Sequence, residues 1–233
     1  YIPGGSIRQL IDKFGPLDET VTASYTVQLM RGLEYLHRHG IAHRDMKGGN
    51  CLVANDGVIK VADFGASEQW RHSLQMPEGE IKGTPSWMAP EVVLNKEKHQ
   101  INWKKADVWS LGCTCIEMTT GGIPWATCEN PVSVLYQIAF TDAVPAYPES
   151  TSADLSSFLD ACFTRDASVR PEILQLFMHP FVRSVERGNR HGSARGGAGR
   201  RGSHVQNHYM HHGSHYANNT GGSYQKVSDE LNM

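Results

Sequence analysis

The chain has 233 residues, 39% of them hydrophobic, and a formal charge of −2. This suits a globular domain with its own core and excludes a global basic field for nucleic acid or anionic lipid. Residues 1–182 carry 15 Lys+Arg against 21 Asp+Glu, and residues 183–233 carry 7 against 3, so an acidic body precedes a basic end. Five cysteines with no Cys-x-x-Cys pair exclude a zinc ribbon and a disulfide framework and fit a reducing compartment.

The opening YIPGGSI reads as a strand end running into a glycine turn. Because it starts at Tyr1 rather than Met, we expect a fragment of a longer protein. Tyr25, Leu29, Leu33 and Leu36 recur at helical spacing, with Gly40 as a stop, and predict an amphipathic helix over 20–39. Cys51–Ala54 and Val58–Val61 flank Asn55-Asp56-Gly57, a hairpin signal. Residues 66–88 hold Pro77, Gly79, Gly83 and Pro85 without periodicity, and irregular spans of that length are usually functional.

From 105 onward the patterns are helical, over 106–120, 130–139, 152–163 and 171–177, with Pro171 at a helix start. Cys113 and Cys115 sit two apart and are expected to point in different directions from their helix. The longest apolar run, Val108 to Ile116, is interrupted by Ser and Thr and falls far short of the ~20 residues of a membrane span. The body is expected to occupy 1–185. Residues 186–233 form a Gly/Ser/His/Arg-rich tail with no apolar period, expected to be disordered. His211, His212 and His215 resemble a metal site in composition only, and Arg195, Arg200 and Arg201 are the residues through which the tail would touch RNA or acidic partners.

The chemistry concentrates in His43-Arg44-Asp45-Met46-Lys47-Gly48-Gly49-Asn50, a loop between the Leu-rich helix and the hairpin. The Asp45 carboxylate can accept a hydroxyl proton, the Lys47 ammonium can neutralise phosphate charge, and the Asn50 amide oxygen can ligate Mg²⁺. Asp63-Phe64-Gly65 lies at the far end of the hairpin, which brings a second carboxylate opposite the first loop. Each three-letter motif is weak alone. The order and spacing are not: Asn50 five residues after Asp45, Asp63 eighteen after it, and Ala89-Pro90-Glu91 closing a 29-residue segment counted from Asp63.

With HRDMKGGN, ADFG, GTPSWMAPEV, DVWSLGC and RDASVRPE in this order, residues 1–182 resemble the C-terminal lobe of eukaryotic protein kinases. YIPGGSI, HRDMKGGN and KGTPSWMAPEV resemble most the serine/threonine kinases of the MAP kinase kinase kinase group. The implied fold is mainly α, a helical lobe with a short β-hairpin carrying the catalytic and metal loops. The glycine-rich loop, the lysine strand and its partner Glu would belong to an N-terminal lobe preceding Tyr1, without which the fragment is expected to be inactive.

The resemblance also implies roles. Asp45, Lys47 and Asn50 are catalytic, and Asn50 and Asp63 hold Mg²⁺. Ile2, Ser6, Lys47, Asn50, Leu52 and Asp63 line ATP, with Leu52 beneath adenine and Ser6 at the ribose. Thr84 lies in the loop that receives the substrate and, with Lys47, points to Ser/Thr specificity. His43 and Phe64 are core elements, Asp107 anchors the catalytic loop, and Glu91 pairs with Arg170. Arg44 awaits a negative charge from the activation loop, and Glu80 is the candidate for supplying it, against the plainer reading that Ser67, Ser73 or Ser86 is phosphorylated. The partners are ATP and a protein substrate, with a MAP kinase kinase as the candidate, in the cytoplasm, with neither membrane nor nucleic acid. The rival readings are a pseudokinase or scaffold lobe and a nucleic-acid binder acting through the tail.

Overall fold

The computed structural model describes residues 2–63, 65, 68–69, 84–94, 101–183 and 185. The expectations for Phe64, Glu80, Ser67, Ser73 and the tail beyond 186 lie outside these residues. The chain divides into two units, 1–196 and 197–233, and every described residue belongs to the first.

Seven helices and four short strands are described. Helix α1 (Ile7–Phe14) follows the opening turn, and α2 (Glu19–Arg38) is the long Leu-rich helix. Strand β1 (Ile41–Ala42) pairs antiparallel with β4 (Glu68–Gln69). Strands β2 (Cys51–Val53) and β3 (Ile59–Val61) form the predicted hairpin, with Leu52 opposite Lys60. Helices α3 (Pro90–Val93), α4 (Trp103–Thr120), α5 (Pro131–Phe140), α6 (Ala153–Cys162) and α7 (Ile173–Leu176) complete the lobe.

Helix α4 is the axis of the core. Every residue from Lys105 to Met118 is buried, so it has no solvent-facing side and packs all round, with its polar residues Asp107, Ser110, Thr114 and Glu117 turned into protein. Cys113 and Cys115 do point different ways, yet both are fully buried because both directions lead into protein. Helix α4 packs against α2 and α6, and at Gly112 the approach is close enough that a Cβ would stand 2.8 Å from the Cys162 Cβ. No described helix is long and apolar enough to cross a membrane.

Helix α1 follows the expected glycine turn and was not itself anticipated from the sequence. Ser6 caps it by accepting from the Gln9 amide, and the Gln9 side chain accepts from the Ser6 amide in return. This Ser-x-x-Gln box nucleates a helix whose Ile7 and Ile11 are buried. Pro171 lies one residue before the cap of α7, so that helix starts later than the proline suggested.

The opening segment lies against the hairpin. The Val53 amide donates to the Gly5 carbonyl at 2.8 Å, and a Cβ on Gly4 would fall 2.1 Å from the Val53 oxygen, so only glycine allows this approach. Leu52, bridged to Ser6, is half-buried along this seam, and Ile2, two residues before Gly4, is half-buried as well.

Candidate active site

The loop after β1 is clamped from below by an acid on α4. Asp107 is fully buried; its Oδ2 accepts from the His43 amide (2.8 Å) and from His37 Nε2 (2.8 Å), and its Oδ1 accepts from the Arg44 amide (2.8 Å). Three donors on one carboxylate satisfy a charge that burial would otherwise penalise heavily. Met46, fully buried, anchors the same loop in the core.

His43 links this loop to the segment that carries Asp63. Its Nε2 lies 3.0 Å from the Ala62 carbonyl, which can only accept, so Nε2 carries the proton. Its Nδ1 then accepts from the Asp45 amide at 3.3 Å. One neutral imidazole therefore fixes Asp45 relative to the residue before Asp63. The Ala62 amide also donates to the Asn50 carbonyl at 2.9 Å, so Asn50 and Asp63 flank one backbone bond.

Asp45, Lys47 and Thr84 close a ring of polar contacts. Lys47 Nζ donates to Asp45 Oδ2 at 2.7 Å and to Thr84 Oγ1 at 2.6 Å, and Thr84 Oγ1 donates to Asp45 Oδ1 at 2.8 Å. Asn50 Nδ2 donates to the Asp45 carbonyl (2.7 Å) and to Asp45 Oδ2 (2.8 Å). An ammonium has three donors, and among the described residues two of them are used.

Thr84 is brought in by the turn Pro85–Trp87, which is fixed to α4 where Ser110 Oγ donates to the Trp87 carbonyl at 2.8 Å. Glu91, at the start of α3, meets Arg170 in a two-pronged contact at 2.8 and 3.0 Å. Arg170 is fully buried, donates further to the carbonyls of Lys105, Thr164 and Arg165, and lies over the Trp109 ring.

Asn50 and Asp63 suit a hard cation. With its Nδ2 committed to Asp45, Asn50 offers its amide oxygen, and the exposed Asp63 carboxylate has one oxygen accepting from the Gly65 amide at 3.2 Å and the other to offer. Oxygen donors of this kind are what Mg²⁺ takes. Arg44 (φ 69°) and Asp63 (φ 60°) both adopt the left-handed region that non-glycine residues avoid, and such strain gathers at functional sites.

Other expected residues have different surroundings. Ser6 is buried, with its hydroxyl engaged as the cap of α1. The Arg44 guanidinium lies 4.0 Å from the centroid of the Trp103 ring, at the start of α4. Sequence reasoning passed over His37, Trp103, Glu117 and Arg8. Glu117 Oε2 accepts from the Gly48 amide at 2.8 Å and Oε1 from Arg8 at 3.3 Å. Burial holds its carboxyl above the usual range, against the opposing pull of these two donors.

Comparison with known proteins agrees with this geometry. The family model described as protein kinase domain matches residues 1–182. The chain is 48% identical over 183 residues to the mitogen-activated protein kinase kinase kinase ANP1 of Arabidopsis thaliana, covering 78% of this chain and 27% of that protein. It is 40% identical over 186 residues to the mitogen-activated protein kinase kinase kinase A of Dictyostelium discoideum, covering 80% of this chain and 19% of that protein. The chain thus spans less than a third of the length of these relatives.

Proposed function

We propose that this chain, which belongs to the protein kinase family, is the catalytic lobe of an enzyme that transfers the ATP γ-phosphoryl group to serine and threonine hydroxyls of a protein. The observation that carries the reading is the closed contact of Asp45, Lys47 and Thr84, in which a carboxylate already accepts an aliphatic hydroxyl at 2.8 Å. A substrate hydroxyl has to make that same contact. Asp45 orients it and takes its proton, and Asn50 holds the carboxylate in line. Lys47 directs its remaining donor to the moving phosphoryl group, whose charge is the main demand of the transition state.

Asn50 and Asp63 would hold Mg²⁺, which when bound neutralises phosphate charge. Ile2 and Leu52 would flank adenine on the seam between the opening segment and the hairpin, with Ser6 beside the ribose through its position rather than its engaged hydroxyl. The reading includes an N-terminal lobe supplying the rest of the ATP cleft, which activity requires. The relatives' names support a place in a MAP kinase cascade, with a MAP kinase kinase as substrate. A cytoplasmic location goes with that role and is supported by five free thiols.

The test is to incubate the full-length protein with γ-labelled Mg-ATP and a catalytically inactive MAP kinase kinase, then hydrolyse and identify the labelled amino acids. Phosphoserine and phosphothreonine are expected. Phosphotyrosine would overturn the specificity, and nucleotide binding without transfer would favour the scaffold reading.

A further inference from the structure

Glu117 is a carboxylate in the middle of the core, 1% exposed, and the phosphoryl-transfer scheme above makes no use of it. Its two oxygens meet two different parts of the lobe. Oε1 accepts from Arg8 Nη1 on α1 (3.3 Å), and Arg8 Nη2 is tied to the Gly121 carbonyl (3.0 Å) and to Asp12 (2.7 Å). Oε2 accepts from the Gly48 amide at 2.8 Å. A Cβ on Gly48 would lie 2.7 Å from Oε1 and 2.8 Å from both Cδ and Oε2. Proline at position 48 would therefore remove the N–H that Glu117 accepts, and any side chain there would have to displace the Glu117 carboxylate.

Gly48 follows Lys47 directly and opens the turn Gly48–Asn50 that delivers Asn50 to Asp45. Its amide is the fixed point between the two side chains that grip the catalytic carboxylate. From this we infer that Glu117 is a positioning residue of phosphoryl transfer: through the Gly48 amide it sets where Lys47 and Asn50 stand, and through Arg8 it ties that setting to α1. The inference rests on the kinase reading above. Small displacements of such groups are costly in rate, because transfer depends on alignment more than on covalent chemistry.

The experiment is a double-mutant cycle on turnover in the full-length protein, with hydrogen exchange at the Gly48 amide resolved by fragmentation mass spectrometry. Glu117→Leu keeps bulk and removes the acceptor. It should lower kcat by about tenfold, the value of one hydrogen bond to a charged group, and leave KM for ATP within about twofold. Glu117→Gln retains an acceptor and should recover most of that loss. Gly48→Ala should lower kcat by at least as much as Glu117→Leu, and in a Glu117→Ala background the added methyl should cost little, because its collision partner is gone.

The Gly48 amide should be protected in the parent and exchange faster in Glu117→Leu, whether or not the protein transfers phosphate. Fast exchange in the parent would show that the bond is absent. Faster exchange in Glu117→Leu with unchanged kcat would show a bond that does not position anything. Multiplicative losses in the cycle would also overturn the inference. An inactive parent with a protected amide would fail the kinase reading and the catalytic part of this one, while leaving the bond itself intact.

Discussion

Two acid–base pairs in this lobe have similar partners and opposite surroundings. Glu91 and Arg170 are sealed, with side chains 6% and 0% exposed, and the guanidinium spends its donors on the carboxylate and on three backbone carbonyls. Asp45 and Lys47 are 13% and 27% exposed, and among the described residues the ammonium keeps a donor in reserve. A saturated pair can only hold structure together. An unsaturated pair at the edge of solvent can accept a reactant. The same pairing of charges is thus an architectural bolt in one place and, under the proposed function, a reactive site in the other.

The largest effect should come from breaking the sealed pair. Arg170→Ala leaves Glu91 buried without its partner and should cost about 3–5 kcal/mol of stability. Equilibrium denaturation reads this directly, and a loss under about 1 kcal/mol would mean that water reaches the pair. The open pair should behave differently at its third member. Thr84→Ala removes the hydroxyl shared by Asp45 and Lys47 and should reduce turnover by about tenfold, with Thr84→Ser restoring most of it and little change in melting. If Thr84→Ser stayed as low as Thr84→Ala, the hydroxyl would not be the operative group.

Chemical labelling extends the comparison to the thiols. Cys51, Cys113, Cys115 and Cys162 are fully buried, and burial raises all four, Cys115 to about 12. Cys128 is half-buried on the surface between α4 and α5. A maleimide reagent on the native protein should therefore add one label, at Cys128, before any other; mass spectrometry showing early labels on α4 would contradict the packing.

The smallest effect concerns pH. Because burial raises the Glu117 carboxyl, the folded state holds that proton more tightly than the unfolded chain does. Its contribution to stability is present below the ordinary carboxylate value and is lost as pH rises through the raised one. Across that window the parent should lose stability relative to Glu117→Gln, which has nothing to titrate. Denaturation midpoints that stay parallel with pH would remove this account.

The elements that carry strong periodicity or turn chemistry were legible from sequence alone: the Leu-rich α2, the Asn-Asp-Gly hairpin and the helices after 105. Helix α1 is hidden in the sequence by the two glycines before Ser6, although Ser6-x-x-Gln9 with Ile7 and Ile11 encodes it. Helix α3 spans only four residues and has no period to detect. Within the candidate site, Asp45, Lys47, Asn50 and Thr84 could be singled out because chemistry dictates their type and spacing, and the fold brings them into contact. His37, Trp103 and Glu117 could not, since each works through a partner distant in sequence: Glu117 is 69 residues from Gly48 and His37 is 70 from Asp107. The one local trace of Glu117 was a glycine at position 48, whose meaning depends on what stands opposite it.

The central claim is that Asp45 belongs to chemistry rather than to the scaffold. Asp45→Asn in the full-length protein keeps the shape and one acceptor oxygen for Lys47, turns the Thr84 contact from accepting to donating, and removes the proton acceptor. Turnover and thermal melting should be measured on the same sample. The account predicts that phosphoryl transfer falls by about 10²–10⁴-fold while the melting temperature stays within about 4 °C of the parent. Near-parental turnover, or a collapse of melting comparable to that of Arg170→Ala, would contradict it.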